Sequence, residues 1–183
     1  MKKVIAAIVL LCLTASFAQA QKWMTRTGKV SFFSSTSVEN IEAFNNEAAS
    51  VVDPKTGDVV FIVPIKSFKF EKALMEEHFN ENYMESTRFP KAEYKGKIAN
   101  PSAVNFKKDG TYNVKTSGKL TMHGVTKDVT ANGTVVVKGA TATIKSKFIL
   151  APADYGIKIP SVSASKIASK IEVTIDSILK ETK

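Results

Sequence analysis

Apolar and polar residues alternate along much of the chain, most clearly over residues 112–138. Tyr112, Val114, Thr116, Gly118, Leu120 and Met122 share one parity, and Thr111, Asn113, Lys115, Ser117, Lys119 and Thr121 share the other. Successive strand side chains point to opposite faces, so this pattern predicts a strand with one dry and one wet face. After His123-Gly124 the parity resumes, with Val125, Val129, Ala131, Gly133, Val135 and Val137 set against Thr126, Asp128, Thr130, Asn132 and Thr134. Two such runs joined by a short glycine-containing break predict a β-hairpin. A polar outer face favours an antiparallel sheet over a buried parallel one.

The rest of the chain reads in the same terms. Residues 23–33 predict an opening strand with Gly28 as a candidate bulge, and Ser34-Ser35-Thr36-Ser37 breaks it. Residues 41–52 alternate poorly and predict a weaker strand, entered through a short helical turn near 38–41. The turn Asp53-Pro54-Lys55-Thr56-Gly57 leads into 59–70, a Val-, Ile- and Phe-rich strand in which Pro64 marks an edge or a bulge. Residues 71–83 predict the one helix: Leu74, Met75, His78, Phe79 and Tyr83 form a stripe that Lys72, Glu76, Glu77 and Glu81 avoid. Phe89-Pro90 ends that excursion. Strand patterns return at 92–98, 140–150 and 167–176, the last two separated by a loop over 151–165 with Pro152, Gly156 and Pro160. No repeat or internal linker appears, so residues 21–183 predict one domain of about eight strands with a single inserted helix.

A sheet with one apolar face must cover it by closing into a barrel or by packing on a second sheet, and one helix cannot cover eight strands. A barrel of about eight strands is just wide enough to be filled by side chains or to hold one small ligand. The inward positions include many small residues: Gly96, Thr116, Gly118, Ala131, Gly133, Ala140, Ala142, Ser146 and Ser169. These either let the strands coil sharply or leave space for a guest, and parity weighs the two readings evenly.

Residues 1–20 have the form of a signal peptide: Lys2 and Lys3, an apolar run over 4–13, and Ala18-Gln19-Ala20 as a cleavage site. The run is short for a membrane span, which needs ~20 residues. Cys12 follows Leu11 where a lipoprotein signal would carry a small residue, so a lipid anchor is disfavoured. A periplasmic or secreted product, cleaved near Ala20 and without cysteine, is the expectation. Loss of Lys2 and Lys3 takes the formal net charge from +9 to +7. The lysines mostly alternate with apolar residues along strands, and no arginine cluster or stacked-aromatic pattern accompanies them. A solvated wall follows, with no nucleic-acid partner and at most transient contact with a negative membrane surface. A homodimer is left open.

Little here points to chemistry. His78, on the apolar stripe of the helix, reads as a core residue, and His123, beside Gly124, as a residue that fixes the hairpin bend by hydrogen bonds. No converging His, Cys and carboxylate pattern for a metal, nucleophile elbow or phosphate-binding glycine loop is present. The reading is a protein without catalytic residues, metal or cofactor.

Three blocks are similar to those of a known family, the YceI-like proteins. LMEEHFNENYMESTRFPKAEY at 74–94 resembles the family's helix and following strand start, TSGKLTMHGVTKDV at 116–129 its hairpin, and Asp154-Tyr155-Gly156-Ile157, within 148–175, its "dfGi" element. The likeness spans roughly 59–178. The family's His-Ser opening is missing, and Pro152 stands where an arginine commonly precedes the "dfGi" element. The resemblance implies an extended, antiparallel, lipocalin-like β-barrel of about eight strands with one inserted α-helix. It also implies a polyisoprenoid or isoprenoid quinone held in the lumen, which shifts the balance toward a cavity. Candidate ligand contacts are Phe68, Phe70, Leu74 and Phe79 on the helix side, and Tyr94, Tyr112, Val114, Leu120, Met122, Ile144 and Phe148 on the wall. Tyr94 or Tyr112 is the candidate partner for a polar head group. The alternative is an envelope stress or partner-binding protein whose barrel is filled solid.

Overall fold

The computed structural model describes residues 21–182, so the signal-peptide expectation for 1–20 lies outside the described residues. Nine antiparallel strands form a single sheet: β1 (Trp23–Ser35), β2 (Asn40–Val52), β3 (Asp58–Pro64), β4 (Lys69–Phe70), β5 (Lys91–Ile98), β6 (Gly110–Met122), β7 (Val125–Lys138), β8 (Thr141–Leu150) and β9 (Ile171–Glu181). The order β1-β9-β8-β7-β6-β5-β3-β2 closes on itself through a β1–β2 pairing, leaving the two-residue β4 on the side of β2. The fold is therefore an eight-stranded antiparallel barrel, which removes the unpaired edges an open sheet would expose.

The central hairpin has the expected parity. β6 and β7 pair without a break from Gly110↔Val137 to Met122↔Val125. His123 (φ 52°) and Gly124 (φ 76°) make the two-residue turn, with both central residues in the left-handed region that the twist of a tight hairpin favours.

The weak alternation of β2 has a physical cause. Its buried positions are Ala43 and Asn45, then Ala48, Ser50 and Val52, so the parity flips between Asn45 and Ala48. The β1–β2 register shifts at the same place, between the pairs Gly28↔Ala48 and Val30↔Asn45. An extra residue in one strand of a pair bends the sheet and reverses which face follows. Buried Asn45 stabilises this bulge: its Oδ1 accepts the Glu47 amide at 2.8 Å, and its Nδ2 donates to the Pro64 carbonyl at 2.8 Å. No helical turn forms at 38–41, where Thr36 instead closes a tight bend with Glu39.

Other boundaries differ from the sequence reading. The strand predicted over 59–70 stops at Pro64, a short 3-10 turn covers Ile65–Ser67, and β4 follows. Helix α1 occupies Ala73–His78 and widens into a π turn at Phe79–Tyr83. Of the small residues placed inside by parity, Ala140 is exposed at the β7–β8 turn, and Ser169 is exposed ahead of β9, which begins at Ile171.

The core divides along the barrel axis. At one end Trp23, Val52, Val59, Phe61, Ile98, Val104, Phe106, Val135, Val137, Ala142 and Leu179 form a dense plug. At the other, Phe68 with Val30, Ala43, Ala48 and Val173 forms one cluster, and Ile65, Met84, Ala92, Leu120, Tyr155 and Ile157 form another.

Candidate functional site: an apolar lumen

Between plug and helix lies a cavity of about 570 Å³. Drug-sized ligands occupy cavities of ~300–1,000 Å³, so the interior is not filled solid. Lining positions on β6 run from Val114 to Met122. At ~3.3 Å per residue and a strand tilt of ~40°, the lumen is ~20 Å deep.

Small residues on neighbouring strands create the space. Gly118 and Gly96, paired across β5 and β6, sit behind the lining, where the Tyr94 ring takes the room a Cβ on Gly96 would need. A Cβ on Gly118 would overlap the Gly96 Cα and the Lys95 carbonyl, so only glycine permits this approach of two backbones. Thr116 pairs with Ala131 and Gly133 with Ser146, all of them lining the mid-depth wall.

The floor is made by Val52, Val59, Ile98, Val114 and Val135. Beneath it Trp23 meets Phe106 with ring centroids 5.4 Å apart. The roof is an aromatic cluster in which Phe79 lies 5.5 Å from Phe32, 5.6 Å from Phe68 and 5.0 Å from Phe70. The polar side chains Glu39, Lys72, His78, Ser163 and Lys166 line the cavity at the helix end. There the Lys72 ammonium pairs with Glu39 at 3.3 Å, tying α1 to the β1–β2 turn. The Ser34 hydroxyl accepts the Ala168 amide at 2.9 Å, tying the same turn region to the segment before β9.

One side of the wall has a seam. β7 and β8 pair only from Gly133↔Ser146 to Lys138↔Thr141, although both strands continue beyond the first of these pairs. Segment 152–157 fills the gap, burying Tyr155 and Ile157. Its Gly156 adopts φ 70° and closes a 3-10 turn over Pro152–Tyr155. His123 pins this segment: Nδ1 lies 3.1 Å from the Tyr155 carbonyl and Nε2 3.1 Å from Glu85 Oε1. The sequence assigned His123 to fixing the bend, and its hydrogen bonds extend that role to two other segments. Burial pushes the Tyr155 phenol up from its ordinary value, with a smaller contribution from Asp154.

Phe68, Phe70, Leu74, Phe79, Tyr94, Val114, Leu120, Met122, Ile144 and Phe148 all lie on the wall of this cavity. Tyr112 does not: it packs against the plug, and its hydroxyl donates to the Lys108 carbonyl at 2.8 Å. Tyr94 does line it, but its buried hydroxyl lies against Gly96, toward the floor and away from the helix end, and has no partner among the described residues. His78 is exposed at the helix end and is not a core residue. Residues missed by the sequence reading include Val52, Val59, Val135 and Ile98 of the floor, with Phe61, because nothing local marks which inward residues sit at which depth. Phe32 and Pro152 also line the lumen. Among the described residues, no three His, Cys, Asp or Glu side chains gather as a metal site would require.

The YceI-like domain family matches residues 16–178. The chain belongs to the YceI-like family. YceI-like and related structures share the fold at low identity. A polyisoprenoid-binding domain from Saccharophagus degradans, described as implicated in plant cell wall breakdown, superposes with a TM-score of 0.76 at 13% identity, covering 89% of this chain and 99% of that one. BcnA of Burkholderia cenocepacia gives 0.67 at 22% identity, covering 83% and 95%. The YceI protein of Campylobacter jejuni gives 0.62 at 16% identity, covering 81% and 90%. No curated protein matches the chain. At these identities the YceI-like neighbours establish the barrel, while the lining is this chain's own.

Proposed function

We propose that the protein is an exported, non-enzymatic carrier of the cell envelope that holds a long apolar lipid of the isoprenoid class in its lumen. The observation that carries this reading is the cavity of about 570 Å³ with an almost wholly apolar wall. Removing one CH₂ from water is worth ~0.8 kcal/mol, so a few isoprene units supply affinity without a charged contact. Family membership and the polyisoprenoid-binding domain of similar fold support the ligand class. The make-up of the wall favours binding over catalysis: most of its lining is aliphatic or aromatic, and the Glu39–Lys72 ion pair lies at the helix end. A protein whose barrel is filled solid is disfavoured by the size of the lumen.

The test is organic extraction and mass spectrometry of protein purified from its own envelope fraction without detergent. The expected result is a co-purifying isoprenoid in near-stoichiometric amount. No bound lipid, together with no uptake of added isoprenoids, would defeat the reading.

A further inference from the structure

The geometry points to a length limit: resting on the carrier reading above, the lumen fits an isoprenoid chain of about four units, and its floor sets that number. The depth of the lumen sets the count. An extended chain advances ~1.2 Å per bond, as the ~3.6 Å reach of a three-bond residue shows. A lumen ~20 Å deep therefore takes about sixteen bonds, or four units of four bonds each.

The limit is hard at one end and soft at the other. Below Val135 and Ile98 the barrel is closed by Trp23, Phe106 and Leu179, all buried, so a tail cannot continue past the floor. At the helix end are Glu39, Lys72 and Lys166, the polar surroundings that suit a head group. A longer chain must emerge there into water. A shorter one leaves apolar volume vacant, which is itself unfavourable.

The test presents the protein with detergent micelles holding farnesol, geranylgeraniol and solanesol in equal amounts, three alcohols of three, four and nine units. Native mass spectrometry then reads the occupant. Geranylgeraniol is expected to exceed solanesol by at least about tenfold, because emergent units lose the apolar surroundings they had in the micelle. The variant Ala131→Phe fills the mid-depth wall with six further carbons and is expected to move the preference from four units to three. Solanesol bound as well as geranylgeraniol, or an unchanged preference in folded Ala131→Phe, would overturn the length limit while leaving the carrier reading intact. No alcohol bound at all would instead sink the carrier reading itself.

Discussion

At the scale of single residues, a few side chains do work that composition does not reveal. His123 joins the hairpin bend to Tyr155 and Glu85 while holding a positive φ. His123→Ala removes both hydrogen bonds and keeps the backbone strain, so it is expected to cost about 1–3 kcal/mol in urea denaturation. His123→Gly loses the same bonds but relaxes the backbone, and should recover about 1 kcal/mol of that loss. Gly118 tests the close approach to β5: Gly118→Ala must push two paired strands apart and should cost about 2 kcal/mol or more. Tyr155 gives a pH signature. Its folded pKa is raised by burial, so the folded state holds its proton more tightly than the unfolded chain does. Stability is unaffected at neutral pH and falls as pH rises above the unfolded value of about 10. Tyr155→Phe should flatten that alkaline decline relative to wild type. His123 and Gly118 were legible as a turn and an inward small residue. Their partners were not, because Glu85 and Tyr155 lie in distant segments and the β5–β6 register that sets Gly96 against Gly118 is not contained in either strand alone.

At the scale of elements, alternation was a good guide where strands stay regular and a poor one where they bend. β6 and β7 keep one parity throughout and were legible residue by residue. β2 reverses parity at its bulge, so a single-parity template fails on it although thirteen residues are in strand. The candidate site followed the same logic. Inward parity placed Val114, Leu120 and Ile144 on the lumen wall, yet it also included Tyr112, which is inward but lies at the depth of the plug. Depth depends on the stagger between strands, and one strand's pattern does not contain it. The roof offers a test at this scale. Phe79 is half-buried among Phe32, Phe68 and Phe70. Phe79→Ala should cost about 2–3 kcal/mol and speed amide hydrogen exchange across 73–83 more than in β6 or β7.

At the scale of the whole molecule, the protein is a closed wall with charges outside and an apolar cavity within. The ion pairs Lys119–Asp128, Lys145–Asp176 and Lys147–Glu172 lie on its outer face, largely exposed. Exposed pairs contribute ~0–1 kcal/mol each and are screened by salt, so packing and barrel closure carry the stability. A ligand that fills the lumen should raise stability by mass action, by about 2.7 kcal/mol at a hundred times its Kd. The most direct measurement of the central claim is a crystal structure of the protein loaded with geranylgeraniol. The account predicts continuous chain density running from the Val114 and Val135 floor to the aromatic roof at Phe79. Density confined to the outer surface, or a lumen filled by the protein's own side chains, would contradict it.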